Sequence, residues 1–490
     1  MEDIMKRIIA IALTLLMIIA LVGCGNKKRQ PITLTLSTED SEAILRAAGI
    51  VLPDAENAPG ANSTVKWICW FDYFHNYSEG EVVNTGYWTF TQKYKSDIEW
   101  IETTYYSYAD TLANLLLSGD APDFAQAATS SKGVFPMPCI NGMYQPVDPW
   151  IDYTDPLWAG MADAAEYFSL GDYHFAIVTD VTFKDVVPYN RRVMSEWGFD
   201  DPAELYANDE WTWSVFAEMC RDFSDGDADR YALDGWYIVN GICEQSTGHY
   251  GIEMDENGKY YSNIDDPIIE VGQNLIYSLM KDDCFYHVGN SYWQNRYEDL
   301  YGAGVKEGLC LFWFCDYEGW KLPVEEMNNI WGDVTEGEFM LAPLPRYDDG
   351  DGVYYLNSVP TGYVICNGAR NPEGAALLAM CDRFKIMDPT VISVDKKQLK
   401  ETYLWSEEML DMYDTCYNLA HENIRMFYTG KLPDNLEEAY NQCCDWGIRR
   451  RGASTSWAQL KEQYGDQIAY YCDELNAMID AYEYTGQYLG

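Results

Sequence analysis

Short apolar runs alternate with clearly signalled helix starts along most of this chain, and this alternation limits the fold more than any other feature. Residues 65–71, 123–127, 309–314 and 362–366 are short apolar runs of the kind that form buried strands. Stretches with helical spacing of apolar residues separate these runs. Alternating strands and helices of this length favour an α/β fold.

The helix starts carry their own capping chemistry. Asp201-Pro202, Asp266-Pro267 and Asn371-Pro372 each place a capping side chain before a proline that suits the first turn. Thr212 is placed to cap the next helix. The residues expected on its buried face are Trp213, Phe216, Met219 and Phe223.

Other segments are predicted mainly from the spacing of their apolar residues. The helix after Asp266-Pro267 is expected to turn Ile268, Val271, Leu275 and Leu279 inward. Residues 88–94 and 98–104 are interpreted as extended or mixed pieces, and the chain from 407 onward as mostly helical.

The N-terminal segment indicates export. Lys6 and Arg7 precede residues 8–22, which carry no charge and only one polar residue, Thr14. A basic start followed by an apolar span of this length is typical of a secretory signal rather than of a membrane-spanning helix. A buried core helix is the alternative, but it would carry polar residues on one face.

The end of this segment resembles the lipobox of bacterial lipoproteins. Leu21-Val22-Gly23-Cys24 places a cysteine after a small residue. The resemblance implies removal of residues 1–23 and acylation of Cys24 with fatty acid such as palmitate. It also implies a protein held on the extracellular face of the cell membrane, in a bacterium of Gram-positive type. Residues 24–61 are interpreted as a tether and approach segment.

Composition limits the kinds of ligand and partner that the chain is expected to bind. The net charge is −45, which disfavours nucleic acid and anionic lipid surfaces. Aromatic residues make up 15% of the chain, with 17 Trp and 39 Tyr, and the excess favours a carbohydrate ligand because flat rings stack on sugar faces. Thirteen of the 14 cysteines remain after Cys24, and we interpret most as buried thiols, with one or two disulfides left open.

Four stretches resemble the large sugar-binding family of extracellular solute-binding proteins of bacterial ABC importers. Their order and spacing carry the resemblance, together with the lipobox. The stretches are Leu116-Leu117-Ser118-Gly119-Asp120-Ala121-Pro122-Asp123, Val187-Pro188-Tyr189-Asn190 with Gly198-Phe199-Asp200-Asp201-Pro202, Trp211-Thr212-Trp213-Ser214-Val215-Phe216, and Leu341-Ala342-Pro343-Leu344-Pro345 with Gly362-Tyr363-Val364-Ile365 and Asn371-Pro372-Glu373-Gly374-Ala375-Ala376.

The resemblance implies two α/β lobes of the type II periplasmic-binding-protein fold, joined by hinge strands and enclosing a ligand cleft. It implies a non-enzymatic, monomeric receptor without cofactor or metal, which captures a carbohydrate, with an oligosaccharide favoured, and delivers it to permease subunits. Crossings between lobes are expected near residues 177–182, 341–345 and 388–396. The expected segments are 62–178 for lobe I, 179–343 for lobe II, 344–392 for the return to lobe I and 393–490 for a helical part mainly of lobe II.

Ligand-contacting residues are expected where strands end and at the crossings, following the resemblance. Trp211 is expected to face the cleft, whereas Trp213 is expected in the core of its helix. The candidates are Trp70, Asp72, Tyr73, Asp180, Thr182, Trp211, Trp313, Asp316, Tyr317, Trp320, Tyr355 and Asn357.

Two other functions stay open. One is a lipid-anchored glycan-degrading enzyme, since 78 carboxylates allow many acid pairs by chance. The other is a receptor of the same fold for peptides or another polar solute.

Residues 225–229 begin like a calcium loop, but Arg230 replaces the glycine that the turn needs. Arg449-Arg450-Arg451 is interpreted as a salt-bridge cluster, with contact to an anionic ligand group as the alternative.

The lipobox resemblance gives the first testable prediction. Cys24→Ala removes the acylated sulfur, so the protein should appear in the culture medium instead of the membrane fraction. Ligand binding by the released protein should be unchanged, because the anchor and the binding body are separate parts of the chain. Fractionation followed by a binding assay checks both statements, and released protein that no longer binds would contradict the separation.

Overall fold

The computed structural model describes residues 38–75, 85–127, 134–235, 240–286, 304–315, 317–426 and 432–483, and two larger mixed β-sheets organise them. The strands are β1 (Thr64–Cys69), β2 (Asp97–Glu102), β3 (Phe124–Gln126), β4 (Tyr144–Gln145), β5 (Ser169–Leu170), β6 (Tyr173–His174), β7 (Ile177–Phe183), β8 (Val187–Asn190), β9 (Tyr231–Asp234), β10 (Ile252–Met254), β11 (Tyr260–Ser262), β12 (Cys310–Trp313), β13 (Phe339–Ala342) and β14 (Ser358–Cys366).

Helices surround both sheets. They are α1 (Glu39–Ala47), α2 (Thr85–Tyr94), α3 (Tyr108–Leu117), α4 (Met137–Ile140), α5 (Ala162–Glu166), α6 (Arg191–Trp197), α7 (Pro202–Ala207), α8 (Trp213–Phe223), α9 (Asn240–Gln245), α10 (Pro267–Lys281), α11 (Tyr317–Trp320), α12 (Val324–Ile330), α13 (Pro372–Met387), α14 (Pro389–Thr402), α15 (Glu407–Glu422), α16 (Asp434–Tyr440), α17 (Gly447–Arg450) and α18 (Trp457–Ala481). None of the helices within the described residues is both long and apolar enough to cross a bilayer.

The first sheet forms the centre of lobe I. Its strands lie in the order β2-β1-β3-β14-β4, with β7 also paired to β14. β1 pairs with β2 and β3 in parallel, and β14 pairs with β3, β4 and β7 antiparallel. Separate hydrophobic clusters cover its two faces, so β1 is apolar on both sides rather than alternating.

The second sheet forms the centre of lobe II. Its strand order is β13-β8-β12-β9, in which β8 is antiparallel to both neighbours and β9 is parallel to β12. One large hydrophobic cluster joins this sheet to residues of α8, α10, α15, α16 and α18. The two-lobed α/β architecture expected from the sequence is therefore confirmed.

The lobes are joined through the antiparallel pair of β7 and β14. Ile177 at one end of β7 lies in the lobe I core, whereas Phe183 at the other end lies in the lobe II core. The return crossing occurs later in the chain than expected. Residues 341–342 pair with β8 inside the lobe II sheet, and the chain returns to lobe I only through β14.

Helix caps agree with the sequence, and one helix face does not. The side chains of Thr212, Asp266 and Asn371 accept backbone N–H groups at the starts of α8, α10 and α13. The buried face of α10 is rotated by about one position from the expected one, and of the four residues predicted to face inward only Leu279 is fully buried. The buried residues are Ile269, Gly272, Gln273, Ile276, Leu279 and Met280.

The thirteen cysteines after Cys24 are all buried, and none of them forms a disulfide among the described residues. Burial raises the pKa of thiols such as those of Cys139 and Cys220, which keeps them protonated. The expectation of buried thiols is confirmed, and the lobes are stabilised by packing rather than by disulfides.

Gly362 lies where the β7–β14 register shifts, and it provides a test of the crossing. Its φ is +149°, and an added Cβ would collide with the Ile177 carbonyl oxygen. Gly362→Ala should lower the free energy of unfolding by about 2 kcal/mol or more. Gly258→Ala is a matched control, because Gly258 has φ +72° but open space around it, and it should cost about 1 kcal/mol. Denaturant unfolding measures both, and equal losses would contradict the close contact at the crossing.

Candidate functional site: the facing carboxyl edges of the two lobes

Strand direction decides which edge of lobe I faces lobe II. β7 leaves the lobe I sheet at its carboxyl end, and β14 runs antiparallel to both β7 and β3. Therefore β1, β2 and β3 run in the same direction as β7. Their carboxyl ends lie at the edge from which the chain crosses to lobe II.

The same reasoning applies to lobe II. β8 begins directly after the crossing, so its first residues lie at the edge that faces lobe I. β12 is antiparallel to β8, and β9 is parallel to β12. The carboxyl ends of β9 and β12 thus face the carboxyl ends of β1, β2 and β3, and the space between is the candidate cleft.

Five aromatic side chains follow the ends of β1 and β2 and form what we term the aromatic ladder: Tyr106, Tyr105, Trp70, Phe71 and Tyr73. Successive ring centroids are 5.4, 5.4, 5.9 and 6.3 Å apart. Four of the rings are well exposed, from 38% for Tyr105 to 90% for Tyr106, and Trp70 is half-buried. Contiguous exposed rings of this kind make this edge the candidate binding surface.

The loop that carries the ladder is shaped by Asp72. One carboxylate oxygen accepts the backbone N–H groups of Phe74 at 3.2 Å and His75 at 3.0 Å. The His75 Nδ1 also lies 3.0 Å from both carboxylate oxygens. Asp72 therefore acts on the turn that presents Phe71 and Tyr73.

Asp180 lies in the middle of the crossing strand β7 and has several partners. The Tyr417 hydroxyl donates to its carboxylate at 2.6 Å, the His421 Nε2 lies 3.5 Å away and the Arg383 Nη1 lies 3.9 Å away. Thr182, two residues further along β7, is half-buried and pairs with Val359 of β14. The groups around Asp180 link the hinge to α13 and α15.

Arg383 also holds the irregular part of the crossing. Its guanidinium donates to the carbonyl oxygens of Leu157 at 3.0 Å, Ala159 at 2.7 Å and Thr179 at 3.1 Å. Thr179 is the residue skipped where the β7–β14 register shifts. The bulge thus has a side-chain support of its own.

Geometry favours the charged form of His421. Its Nδ1 lies 2.9 Å from the Tyr417 carbonyl oxygen, which can only accept, while Nε2 faces Asp180. Burial lowers the pKa of the imidazole, but the Asp180 carboxylate and the Tyr417 carbonyl raise it more, so the pKa lies above the ordinary 6.5. The hinge therefore contains a titratable contact.

Three of the expected tryptophans lie in the lobe II core. Trp211 is fully buried, and its Nε1 donates to the Pro343 carbonyl oxygen at 2.9 Å. Trp313 and Trp320 are each 3% exposed, and Trp320 stacks on Phe183 with a ring centroid distance of 6.2 Å. In this conformation none of the three presents a ring to the cleft.

Tyr355 and Asn357 lie beside the crossing and are buried by local partners. The Tyr355 hydroxyl donates to Asp351 at 2.6 Å, and the Asn357 Nδ2 lies 3.3 Å from the Asp185 carboxylate. Cys24, Asp316 and the side chain of Tyr317 lie outside the described residues. The structure thus brings Trp70 and Tyr73 together at the lobe I edge, with Asp72 supporting them.

Sequence reasoning missed three members of the aromatic ladder. Phe71 lies between the candidates Trp70 and Asp72 but was not itself predicted. Tyr105 and Tyr106 follow β2 just as Trp70 and Phe71 follow β1, so the same strand-end rule could have found them. Nothing in the sequence distinguishes Tyr105 and Tyr106 from the strand-end residues that were named as candidates.

The possible calcium loop has a local explanation. The Asp225 carboxylate accepts the N–H of Asp227 at 3.2 Å, and the Arg230 Nη2 lies 3.4 Å from it. Within the described ranges, no three His, Cys, Asp or Glu side chains are grouped so that they could hold a metal ion.

Solved structures share this fold. The sugar-binding protein MalE from Xanthomonas citri superposes with a TM-score of 0.58 at 12% identity, covering 86% of this chain and 100% of that one. The galacto-N-biose/lacto-N-biose I-binding protein from Bifidobacterium longum has a TM-score of 0.57 at 13% identity, covering 85% of this chain and 97% of that one. An ABC substrate-binding protein from Listeria monocytogenes, in complex with cycloalternan, has a TM-score of 0.54 at 12% identity, covering 85% of this chain and 99% of that one. No protein-family model and no curated protein matches the sequence.

The His421 contact predicts a pH dependence of stability. Its raised pKa means that the charged contact with Asp180 stabilises the folded protein fully below about pH 6.5 and is lost as pH rises through the folded-state pKa. The wild type should therefore exceed His421→Gln in free energy of unfolding by about 1 kcal/mol at low pH, and the difference should shrink toward pH 9. Urea unfolding across this pH range measures how the free-energy difference between the wild type and His421→Gln depends on pH. The same comparison in an Asp180→Asn background should show no such dependence. A pH dependence that persists there would contradict the assignment.

Proposed function

We propose that this protein captures a carbohydrate between its lobes and delivers it to the permease of an ABC importer. The single observation that carries the proposal is the aromatic ladder at the carboxyl edge of lobe I. Four exposed rings and half-buried Trp70 form one continuous row of edge-to-face contacts in a chain of net charge −45. Sugar faces stack on such rings while their hydroxyl groups reach polar partners.

The length of the ladder supports an oligosaccharide as the ligand. A monosaccharide would cover one or two of the five rings and leave the others in water. A chain of several sugar units would cover Tyr106 through Tyr73 and bury their apolar faces together. The gain in buried apolar surface then increases with each unit that contacts a ring.

The fold supplies a way to enclose such a ligand. Lobe II is connected to lobe I through β7 and β14, so rotation about this pair would bring the edge at β9 and β12 toward the ladder. A ligand that contacts both edges favours the closed arrangement by its difference in affinity for the two states. The proteins of similar fold include one described as binding lacto-N-biose and one in complex with cycloalternan, and both support a carbohydrate for this site.

The proposal includes the location of the receptor. The signal and the lipobox-like ending at Cys24 support a lipid anchor on the extracellular face of the cell membrane. A receptor that hands its ligand to a permease benefits from remaining at that membrane. We propose a monomeric receptor, with permease subunits as its protein partners.

Two carboxylates at the described edges, Asp72 and Asp234, have partners of the kind expected in a binding protein rather than in a hydrolase. Asp72 accepts backbone N–H groups of its own turn, and Asp234 at the end of β9 accepts the N–H of Gly235 at 2.7 Å. Both have structural partners, whereas a hydrolase needs one carboxyl group free as acid and another as base or nucleophile. A receptor for peptides remains the second candidate of the same fold.

A panel of sugars tests the proposal by thermal unfolding and calorimetry. Maltotetraose, lacto-N-biose, β-1,6-galactobiose and a tripeptide mixture should separate the candidates, and at least one oligosaccharide should raise the melting temperature without being cleaved. Cleavage products without stoichiometric binding would indicate the enzyme. Stabilisation by peptides alone would indicate the other receptor.

The ladder itself is tested by Tyr105→Ala. Loss of one stacking ring should weaken the binding of the stabilising oligosaccharide about 10-fold, and shorter sugars should be affected less. Tyr470→Ala is the matched control, because Tyr470 is a tyrosine of α18 that is 57% exposed and distant in sequence from the ladder. Equal affinities of the wild type and Tyr105→Ala for every panel sugar would contradict the role of the ladder.

A further inference from the structure

Helix α13 carries Lys385 to the edge of lobe I that borders the cleft. The helix begins beside the start of β1, where the Asn371 Nδ2 donates to the Ser63 hydroxyl at 2.7 Å. It ends beside the crossing, where the Arg383 guanidinium donates to the Thr179 carbonyl oxygen at 3.1 Å. Lys385 lies two residues beyond Arg383, so it belongs to the end of α13 at the carboxyl edge of the lobe I sheet.

The ammonium group of Lys385 is accessible and has no direct partner. The residue is half-buried, and among the described residues its Nζ makes neither a hydrogen bond nor an ion pair. Because it lacks such a partner and is not among the enclosed polar atoms, the Nζ keeps accessible surface. A ligand oxygen can therefore contact this nitrogen and accept a charge-assisted hydrogen bond from it.

Electrostatic interactions place this ammonium group beside the end of the aromatic ladder. Burial lowers the pKa of Lys385, but nearby hydroxyl and carboxyl groups raise it more, so the side chain stays charged. The groups responsible, in order of effect, are those of Tyr73, Asp382, Asp395 and Asp180. Tyr73 is the last ring of the ladder and is 48% exposed. The ladder therefore ends next to a cation.

Two further charged side chains join Lys385 in what we term the polar recess: Asp395 and Lys321. Asp395 of α14 interacts electrostatically with Lys385 and with Lys321, which directly follows α11. Both residues are exposed, yet burial by the surrounding protein raises the pKa of the Asp395 carboxyl group and lowers that of the Lys321 ammonium group. Exposed groups with that much protein around them line a concave surface. Neither makes a direct hydrogen bond or ion pair within the described part of the chain.

The polar recess lies between the lobes. Lys385 belongs to lobe I, because α13 packs in the lobe I core. Lys321 belongs to lobe II, because the preceding Trp320 lies in the lobe II core. Asp395 lies on α14, which follows α13 and whose Leu399 also lies in the lobe II core. A ligand in the recess would contact side chains of both lobes.

We propose that the polar recess holds the hydroxyl groups of one neutral sugar unit beside Tyr73, with Lys385 and Lys321 as donors and Asp395 as acceptor. This inference rests on the proposed function. Ammonium groups donate hydrogen bonds to sugar oxygens, and a carboxylate accepts them from sugar hydroxyl groups. Nearby carboxyl groups balance the two ammonium groups, and the chain as a whole repels anions, so the unit is neutral.

The aromatic ladder acquires a direction from the polar recess. The unit held in the recess covers Tyr73, and further units extend over the remaining rings toward Tyr106. A short sugar then uses the recess as fully as a long one does, whereas the far rings contact long sugars alone. Substitutions in the recess and at the far rings should therefore differ in how their effects depend on sugar length.

The experiment measures affinities in the purified protein for maltose, maltotetraose, β-1,6-galactobiose, β-1,6-galactotetraose, lacto-N-biose and the acidic digalacturonic acid. Lys385→Met keeps the apolar stem and removes the charge, so it should weaken the disaccharide and the tetrasaccharide of the preferred sugar by the same factor, roughly 10-fold or more. Asp395→Asn should also weaken both lengths equally, and it tests the inference even when Lys385→Met fails to fold, because Asp395 is exposed. Tyr105→Ala should instead weaken the tetrasaccharide alone.

Lys397→Met is the matched control, because Lys397 is an exposed lysine of α14 that pairs with Glu401 at 3.7 Å. It should leave the affinity for every sugar unchanged. Unchanged affinities in both Lys385→Met and Asp395→Asn would overturn the inference and leave the proposed function intact. A loss confined to the tetrasaccharide would overturn the placement of the recess at the end of the site.

The remaining outcomes concern the kind of ligand. A wild type that prefers digalacturonic acid would overturn the assignment of a neutral sugar unit to the polar recess. A wild type that binds no sugar of the series would overturn the proposed function and this inference with it.

Discussion

The antiparallel pair of β7 and β14 is the constraint on which the rest of the structure depends. Among the described residues the chain crosses between the lobes at this pair, and β7 runs from the lobe I core at Ile177 to the lobe II core at Phe183. Its direction fixes the direction of the other lobe I strands through their ladders, and the chain passes directly from β7 into β8 of the lobe II sheet. Consequently the carboxyl ends of β1, β2 and β3 must face those of β9 and β12, whatever side chains they carry.

The support around this pair determines how the lobes can move. Arg383 of α13 holds the bulge at Thr179, and Tyr417 and His421 of α15 hold Asp180. These contacts join one helix of each side to the same short stretch of β7. They resist sliding of one lobe along the other.

Local chemistry made part of the fold predictable. Thr212, Asp266 and Asn371 cap helices as expected, because a cap depends on neighbours in sequence. Tertiary packing decided the rest. Residues 88–94 resemble an extended segment, yet they belong to helix α2, which packs against α13. For the same reason the buried face of α10 differs from the expected face by about one position.

The candidate site shows the same division. Trp70 and Tyr73 could be placed at a strand end from sequence, because strand ends in an α/β sheet meet at one edge. Trp211, Trp313 and Trp320 also lie near strand ends, but their rings turn into the core of lobe II. Composition cannot separate a ring that stacks on sugar from a ring that fills a core. Only the side of the strand on which each ring lies decides this, and that side is set by packing.

The two edges differ in a way that implies an order of events in binding. The rings of the lobe I ladder are exposed, and Asp72 fixes the turn that carries Phe71 and Tyr73. The aromatic rings of Trp313 and Trp320, which lie near the lobe II edge, are buried instead. On the proposed function, a sugar therefore binds the lobe I ladder first and meets lobe II as the lobes close. Affinity then comes mainly from the open ladder, because each ring that a sugar covers adds buried apolar surface.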